Sequence, residues 1–421
     1  MQKISENTKP FTKYQKFLVA MLAFLQFTII LDFMILAPLG AILMPSLNIT
    51  TTQFGLVVSV YAFSAGASGL LAAGFADRFD RKKILLFFYG GFVVGTFLCG
   101  IAQTYQFLLM ARMVTGLFGG VIGSVIFAIT TDLFPFEQRG RVMGFVQTAF
   151  AASQIMGIPL GLYISNHWGW HATFLMIVTF GVVVGSLIFF YLRPINEHLK
   201  LRPDRSALHH LFDTVTRPLY LKGFATTALL STGGFMLLPF SSAFNVNNLG
   251  VSLEELPGVF AITGACNIIV GPIVGRLSDK IGKFKMFSIG SCLGIIMVFI
   301  YTHLSVTPIS IVILVSVLMF TSIMSRMVSA SALMSAIPDP VHRGSYMSVS
   351  SSIQQISGGI AAAVAGLIVV KSSQGPLLHF DVLGYVVIGA SILTMAMMFF
   401  LNRIILPKGL ENPNLNLSHT D

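Results

Sequence analysis

The sequence predicts an all-α membrane protein whose twelve transmembrane helices form two pseudo-symmetric bundles of six, with both termini in the cytoplasm. Three observations support this prediction. The 421 residues are 55% hydrophobic and only 10% charged, with a mean hydropathy of +0.82, a composition that no soluble fold requires. Apolar runs of about 18 or more residues, each long enough to cross a bilayer, recur along the chain. The basic residues fall in alternate links between these runs.

The apolar runs define the predicted spans 1 to 12, which are approximately Phe17–Met44, Phe54–Phe75, Ile84–Ala102, Phe107–Thr131, Val142–Ser165, Ala172–Leu192, Leu221–Phe244, Val259–Gly275, Phe287–Thr302, Ile309–Met334, Tyr346–Val370 and Val382–Leu401. They are continuous rather than alternating with polar residues, which favours helices over a closed barrel as the structure that satisfies the backbone in lipid. The first run is too long for a signal peptide and lacks a small-residue cleavage pattern, so we interpret it as a retained span. The cysteines Cys99, Cys266 and Cys292 lie inside apolar runs without CxxC spacing. They are interpreted as small hydrophobic residues.

The distribution of positive charge tests the number of spans. Of the 26 lysines and arginines, all but three lie in links on the side that holds the N-terminus. The exceptions are Arg112 and Arg326, which lie inside spans, and Lys371 on the far side. The far-side links PSLNITTTQ and AQTYQ carry no formal charge, and VSLEELPG is acidic. Because positive links stay in the cytoplasm, this separation supports twelve spans and cytoplasmic termini.

The longest polar stretch divides the chain into two halves. We expect a cytoplasmic N-terminal segment at 1–16, an N-terminal six-helix bundle at 17–193, a cytoplasmic linker at 194–220, a C-terminal six-helix bundle at 221–404 and a cytoplasmic tail at 405–421. The linker has some helical periodicity. It either lies along the inner membrane surface or is a solvated connection.

A repeated charged link indicates that the two halves are related. The segment GFADRFDRKKILLF after span 2 is matched by GRLSDKIGKFKMF after span 8, and aligning Asp77 with Asp279 gives an offset of 279 − 77 = 202 residues. The segment FEQRGRVMG after span 4 is matched by PVHRGSYMS after span 10, and aligning Arg139 with Arg343 gives 343 − 139 = 204. Two anchors with nearly the same offset predict two homologous halves, with a binding site between them near mid-membrane.

With these features the chain resembles the major facilitator superfamily over essentially its whole length. The loop signature of that family is G-x-x-x-D-[RK]-x-G-[RK]-[RK]. The second copy matches it at Gly275, Asp279, Lys280, Gly282 and Lys283. The first copy departs from it twice, because Ala73 stands at the leading glycine and Asp80 stands at the inner glycine. The resemblance implies the major facilitator fold and secondary transport by alternating access.

The resemblance also implies a role for the doubled signature. In the family it latches the two halves together on the cytoplasmic side when the cavity opens outward. The alternative is a tight basic loop that only fixes the orientation of the chain in the membrane. Acidic residues at these helix ends are expected to stay ionised beside basic neighbours. The expected residues of this cytoplasmic gate are Asp77, Arg78, Arg81, Arg139, Asp279, Lys280, Lys283 and Arg343.

Asp32 is an acidic residue inside a span. It lies about fifteen residues into span 1, which is near mid-membrane at roughly 1.5 Å per residue. A carboxylate at that depth costs several kcal/mol unless it faces a cavity, has a partner or binds a proton. We therefore predict a proton-coupling role for Asp32 at the wall of a wet central cavity. Thr28, one turn earlier on the same face, is a candidate substrate-binding residue. Permanent structural pairing is the alternative.

Two arginines also lie inside spans. Arg112 begins RMVTGLFGG in span 4, which resembles the family pattern R-x-x-x-G-x-x-G-G, and the resemblance implies that spans 1 and 4 line the cavity. Arg112 is therefore the expected partner of Asp32, and separating the two would let the acid take up a proton. The glycines of the pattern are interpreted as close-packing residues. Arg326 in span 10 has no counterpart in the first half, and it either contacts substrate or snorkels to the surface.

Further candidate residues lie in spans 5, 7 and 11. The segment QTAFAASQIMGIPLG in span 5 loosely resembles the antiporter signature G-x-x-x-G-P of drug-exporting branches, and we predict a hinge at Gly157, Pro159 and Gly161. Other polar residues are either substrate contacts or interhelical hydrogen bonds. They are Gln147, Asn245, Gln354 and Gln355.

The leading functional prediction is a proton-coupled exporter of small amphipathic or apolar molecules, similar to twelve-span drug:proton antiporters and sugar-efflux permeases of bacteria. The alternative is a facilitator or proton symporter for a sugar, an organic anion or a lipid-like substrate. Without HExxH or Walker motifs, we expect no enzyme activity. We also expect no metal, and no cofactor except the proton as coupling ion. The expected partners are a small-molecule substrate and the lipid bilayer, without nucleic acid, for a multi-pass monomer in the bacterial inner membrane.

Overall fold

The structure, a computed structural model, describes residues 11–75, 79–196, 199, 214–339, 343–372 and 375–410. Within this part of the chain, twelve helices are long and apolar enough to cross a membrane, which confirms the predicted architecture. Spans 1 to 4 are Lys13–Leu47, Thr51–Phe75, Arg81–Gly100 and Tyr105–Leu133. Span 5 comprises Phe136–Ala152, a π-helical turn at Ser153–Gly157 and Ile158–Trp168, and span 6 is Trp170–Tyr191.

The second bundle also consists of six spans. Spans 7 to 10 are Pro218–Asn247, Leu256–Ile281, Lys283–Thr302 and Ile309–Met334. Span 11 is Arg343–Ile368 and span 12 is Phe380–Leu410. A short antiparallel hairpin joins these last two, with β1 (Val370–Lys371) paired to β2 (Leu377–Leu378). The predicted linker at 194–220, the segment at 1–16 and the tail at 405–421 extend beyond the described residues, and their limits stay predictions.

The helix ends define two faces of the molecule. We call the face at which span 1 begins the N-terminal face, and the face at which span 1 ends the opposite face. Near the opposite face, one hydrophobic core includes Phe54 of the first bundle and Phe240 of the second. Towards the N-terminal face each bundle has a separate core, which includes Leu22 in the first and Leu333 in the second. The bundles are therefore held together mainly at the opposite face.

Hydrogen bonds between the bundles follow the same distribution. On span 2, side chains donate to carbonyl oxygens of span 11 and of Val369, which follows it, and side chains of spans 5, 7 and 8 donate to other acceptors across the interface. All of these bonds lie in the half of the molecule between the middle of the helices and the opposite face. The pairs are Thr51 with Val369, Thr52 with Gly366, Ser59 with Gly359, Asn166 with Leu253, Ser242 with Ala37, and Asn267 with Gln154.

The two copies of the loop signature start their next helix in different ways. In the first copy, the Asp80 carboxylate accepts hydrogen bonds from the backbone N–H groups of Lys82 and Lys83 at 2.8 and 3.2 Å, and so caps span 3. In the second copy, Gly282 precedes span 9 with φ +99°, a conformation that glycine adopts without strain. The aspartate at the glycine position is therefore an N-cap, one of the preferred residues for beginning a helix.

The turn that precedes span 8 contains reciprocal hydrogen bonds between two residues. The Ser252 backbone N–H and hydroxyl donate to Glu255 Oε2 at 3.0 and 2.8 Å, and the Glu255 N–H donates back to the Ser252 hydroxyl. The Ser252 backbone and side-chain donors hold the pKa of Glu255 below its usual value. The geometry is that of a capping box, which satisfies backbone donors that have no partner within the helix.

Glycines of span 4 allow it to pack directly on span 2. A Cβ built on Gly116 would lie 2.4 Å from the Tyr61 carbonyl oxygen, and one on Gly120 would lie 2.2 Å from that of Ala65. No real side chain fits at such distances. The packing role predicted for these glycines is therefore confirmed, and their approach places Tyr61 against Arg112.

Candidate functional site: a central cavity and a buried ion pair

A cavity of about 430 Å³ lies between the two bundles. Spans 1 and 5 of the first bundle and spans 7 to 12 of the second provide its walls. Its volume is within the range of pockets that bind small molecules. Most of the wall is apolar. The aromatic and methionine side chains on it are those of Phe33, Met34, Phe150, Phe235, Met319, Phe320, Met324 and Met327.

The polar groups of the cavity carry a single formal charge. Among the described residues that line it, none is aspartate or glutamate, and Arg326 is the one cation. Side-chain amides and hydroxyls make up the rest, and both can donate or accept hydrogen bonds. These neutral residues are Gln26, Gln147, Gln154, Ser241, Asn267, Ser322, Ser351, Gln354 and Gln355.

The cavity opens toward the N-terminal face. Gln147 lies eleven residues after Phe136 in span 5 and Ser351 lies eight residues after Arg343 in span 11, and both are exposed. At the other end of the cavity, Ser241 is buried. Since the inter-bundle hydrogen bonds also lie from mid-helix to the opposite face, the conformation is closed there. Which face lies in the cytoplasm stays a prediction from the charge pattern.

Four of the predicted substrate-binding residues line this cavity. They are Gln147, Arg326, Gln354 and Gln355. The sequence analysis missed Gln26, Gln154 and Asn267, which also line it. The available signal was an amide inside an otherwise apolar span, the same signal that selected Gln147. It did not distinguish these amides because the wall is formed by eight spans, and their relative rotation is set by tertiary packing.

Two predicted substrate-binding residues do not line the cavity. The Thr28 hydroxyl donates to the Leu25 carbonyl oxygen at 2.8 Å and lies 3.0 Å from the Tyr89 hydroxyl, inside the first bundle. Asn245 is 3% exposed, and its Oδ1 accepts a hydrogen bond from the Tyr301 hydroxyl at 2.8 Å. In this conformation both residues form interhelical contacts, an alternative that the sequence had left open for Asn245 only.

Asp32 and Arg112 form a buried ion pair, as the sequence predicts. Arg112 Nη1 lies 2.8 Å from Asp32 Oδ2, and the side chains are 1% and 0% exposed, respectively. The Thr96 hydroxyl donates to Asp32 Oδ1 at 3.2 Å. The Tyr61 ring lies 4.4 Å from Arg112 Cζ, within the range of a cation–π contact. Each charge therefore has a charged partner and a second contact inside the first bundle.

The pair lies behind the cavity wall, so the expectation that Asp32 faces the wet cavity is wrong for this conformation. Phe33, the next residue, does line the cavity. Its ring centroid lies 5.4 Å from that of Tyr61, which in turn covers Arg112. Successive helical residues point about 100° apart, so Asp32 points into the first bundle while Phe33 points to the cavity. Two aromatic rings separate the pair from the cavity.

The described residues of the predicted gate form contacts within their own bundles. Arg81 Nε donates to Asp132 Oδ2 at 2.9 Å, which joins spans 3 and 4. Arg139 donates to the carbonyl oxygens of Thr131 and Phe134 at the end of span 4. Lys283, the first residue of span 9, forms an ion pair with Asp279 at the end of span 8.

The remaining gate residues leave the latch untested. Lys280, at the end of span 8, has an exposed side chain. Asp77 and Arg78 lie outside the described residues, as does the side chain of Arg343. Since the conformation is open at the N-terminal face, it is not the state in which the predicted latch would form. The latch stays a prediction.

The predicted hinge of span 5 coincides with a change of helix type. The π-helical turn Ser153–Gly157 ends at Gly157, and Pro159 follows within the first turn of the next helical segment. A Cβ on Gly157 would lie 2.6 Å from Leu31, and one on Gly161 would lie 2.7 Å from Ile35. Both glycines therefore let span 5 pack closely on span 1. π-Helical turns of this kind are frequent at functional sites.

Comparisons with known proteins agree with this architecture. The family model described as Major Facilitator Superfamily matches residues 22–362. The MFS-type transporter YceJ of Bacillus subtilis is 26% identical over 270 residues, which are 63% of this chain and 68% of the relative. Multidrug resistance protein 3 of the same organism is 33% identical over 152 residues, 36% of this chain and 30% of the relative.

A third relative and a solved structure are also similar to this chain. A probable sugar efflux transporter of Mannheimia succiniciproducens is 22% identical over 271 residues, 64% of this chain and 67% of the relative. A bacterial homologue of the human lysosomal transporter Spinster, solved in an inward-facing and unoccupied conformation, has a TM-score of 0.77 at 15% identity, covering 94% of this chain and 99% of that one. Because the family model spans well over half of the chain and the fold is the same, this protein belongs to the Major Facilitator Superfamily.

Proposed function

We propose that this transporter is a proton-coupled exporter of small amphipathic molecules that works by alternating access between its two bundles. The observation that carries the proposal is the Asp32–Arg112 pair directly behind the cavity wall. A buried ion pair is weak evidence for a role in stability, because apolar replacements of both partners are often as stable. Ionisable residues at membrane depth are instead typical of ion pathways and proton relays.

Contacts of Phe33 provide a route from the cavity to the pair. The Phe33 ring touches Tyr61 of span 2 and Phe235 of span 7, at centroid distances of 5.4 and 5.7 Å. It therefore contacts both bundles, and a rocking motion between them must move it. Displacement of Phe33 and Tyr61 would expose Arg112 and Asp32 to the cavity. An unpaired carboxylate in that apolar setting must meet water or bind a proton.

Export of amphipathic molecules is supported by the wall chemistry and by relatives. The wall combines aromatic rings, methionines and a few amides, a composition that accepts varied apolar shapes. Two of the relatives carry the names of a multidrug resistance protein and a sugar efflux transporter. The hinge residues Gly157, Pro159 and Gly161 in span 5 keep part of the antiporter pattern.

The burial of Asp32 favours a second candidate, a facilitator without proton coupling. Asp32 is fully buried and separated from the cavity by two rings. If the pair stays closed throughout the transport cycle, it is only structural, and substrate would move down its own gradient. A proton symporter would use the same pair with the opposite direction of substrate movement.

Transport in proteoliposomes separates these candidates. Vesicles containing the purified protein and a pH-sensitive dye are given a panel of amphipathic dyes with positive, zero or negative charge. An antiporter moves protons against the dye, a symporter moves them with it, and a facilitator moves dye without protons. We expect antiport that is abolished in the Asp32→Asn/Arg112→Gln variant. Dye movement that is insensitive to a pH gradient and to an uncoupler would refute proton coupling.

A further inference from the structure

Arg326 is a buried cation in the cavity wall. It lies 17 residues after Ile309 and 8 residues before Met334, the ends of span 10, and is 8% exposed. At roughly 1.5 Å per residue it is more than two turns from either end of the helix. A snorkelling arginine holds its guanidinium in the interface, whereas this one is buried against the cavity. The snorkelling alternative from the sequence therefore does not describe it.

One edge of the Arg326 guanidinium has no partner. Nη1 donates to Ser391 Oγ at 3.2 Å, and Cζ lies 6.0 Å from the Phe287 ring centroid. Nε and Nη2, which together form the other edge of the planar group, are buried in this conformation and have no hydrogen-bond partner in the described part of the chain. No described carboxylate pairs with Arg326 either. The unpaired edge consists of two parallel N–H donors.

Arg112, a second buried arginine, shows how this chain otherwise stabilises such a charge. Arg112 is 1% exposed and has Asp32 as a counter-charge at 2.8 Å. A buried charge that lacks a partner is strongly destabilising. Arg326 differs from Arg112 in lining a cavity that an external molecule can enter. A bound anion would therefore supply for Arg326 the counter-charge that Asp32 supplies for Arg112.

The free edge matches a carboxylate. Arginine binds planar carboxylates through two parallel N–H···O bonds. Because Arg326 is the single cation among the described lining residues, it balances one negative charge. Gly233 lies beside it in the wall, where a Cβ would be 3.6 Å from Nη1. Gly233 therefore lies at the Nη1 edge that Ser391 holds, and not at the free edge.

The rest of the wall selects an apolar body. Phe320, Ile323 and Met327 of span 10 and Phe235 of span 7 line the cavity with Arg326. Such side chains bind apolar groups by excluding water. A ligand with a carboxylate at Arg326 would therefore place its hydrocarbon or aromatic part against the phenylalanine and methionine wall.

We propose that the cavity binds an amphipathic organic monocarboxylate, with its carboxylate on Arg326 Nε and Nη2 and its apolar body on the phenylalanine and methionine wall. This assignment names the substrate class of the transport function proposed above and rests on it. Ser391 fixes the guanidinium from the opposite edge, so it is a positioning residue.

Equilibrium binding of matched acids and amides tests the assignment. The probes are phenylacetate, naphthalene-1-acetate and decanoate, each paired with its neutral amide, and binding to the full-length protein in detergent is measured calorimetrically in halide-free buffer. At least one acid should bind about tenfold or more tightly than its amide. Arg326→Gln should remove that preference and leave the amide unchanged. Arg326→Lys, which keeps the charge without the two-donor edge, should restore it only in part.

Two controls separate this role from a structural one. Arg217→Gln removes an equal charge from an exposed ion pair with Asp339 and should bind the acids like the parent. Without ligand, Arg326→Gln should melt at the same or a higher temperature, because it removes a buried charge without a partner. A fall in melting temperature together with unchanged acid binding would show a structural role and overturn the proposal.

Three further outcomes would also overturn the assignment. They are equal affinity for every acid and its amide, acid binding that survives Arg326→Gln, and stabilisation by chloride alone that equals that of the acids. The binding assay involves no proton movement. Acid binding without proton-coupled flux would therefore contradict only the proposed coupling, and coupled flux without acid preference would contradict only the substrate class.

Discussion

Replacing Asp32 alone should destabilise the fold more than replacing Asp32 and Arg112 together. Both side chains are at most 1% exposed and are joined at 2.8 Å. Asp32→Asn would leave the guanidinium buried without a counter-charge, and its Nε already lacks a hydrogen-bond partner. Removing one partner of a buried pair costs about 3–5 kcal/mol, whereas replacing both with neutral groups of similar volume is often neutral.

These energies convert into a measurable shift. At about 2.1 cal/mol/K per residue, a chain of 421 residues loses about 0.9 kcal/mol of stability per degree near its midpoint. Asp32→Asn and Arg112→Gln should each lower the melting temperature by roughly 3–6 °C, and the double variant should lie within about 2 °C of the parent. Thr96→Val, which removes one hydrogen bond to Asp32, is the matched control and should cost about 1 kcal/mol.

Thermal unfolding in detergent gives the stability, and proteoliposome flux gives the function of the same variants. Single variants as stable as the double variant would show that the two charges do not stabilise each other. A double variant that folds and still releases protons when substrate is added would show that coupling does not use Asp32. We expect a folded double variant in which substrate movement no longer responds to a pH gradient.

Three other predictions concern packing, capping and the open face. Gly120→Ala should lower the free energy of unfolding by about 1–3 kcal/mol, because its Cβ would lie 2.2 Å from a carbonyl oxygen of span 2. Gly123→Ala on the same helix meets nothing within 4 Å and should not destabilise the protein. Equal effects of the two variants in thermal unfolding would contradict the packing. Asp80→Ala should lower the free energy of unfolding by about 1 kcal/mol because span 3 loses its cap, and Asp80→Gly should lower it by only a few tenths. Thermal unfolding measures both variants, and equal losses would contradict the capping role. In a cysteine-free background, Gln147→Cys should react with an impermeant thiol reagent applied from the N-terminal face. Ser242→Cys, which is fully buried at the inter-bundle contact beyond the cavity, should not react; labelling of both, or of neither, would contradict the direction of opening.

The sequence was sufficient for the spans and for the charge pairing. Each apolar run is long enough to cross the bilayer core, so the number of spans follows from the number and length of these runs. Asp32 and Arg112 could be paired in advance because a charge in an apolar interior must have a partner. Asp80 could not be interpreted correctly from the loop signature, since its role as an N-cap depends on where span 3 begins.

The composition of the cavity wall was only partly predictable. Gln26 and Gln154 line it while Asn245 does not, although all three are amides inside membrane-spanning helices. The difference arises from the rotation of each helix about its axis. That rotation is set by close contacts such as Gly116 on Tyr61, which join residues far apart in the chain. No periodicity in one sequence records such contacts. The same reason explains why Asp32 was placed on the wrong side of span 1.

The buried arginines Arg112 and Arg326 differ in a way that bears on the transport cycle. Arg112 is neutralised within its own bundle, so its environment is balanced in any state that keeps the pair closed. The positive charge of Arg326 has a counter-charge only when an anion is bound. Closing the empty cavity around Arg326 would bury that charge without a partner, at a cost of several kcal/mol. On the monocarboxylate assignment, the loaded carrier therefore closes more readily than the empty one. Exchange of labelled for unlabelled acid should then be faster than net efflux, and Arg326→Gln should reduce that ratio toward one.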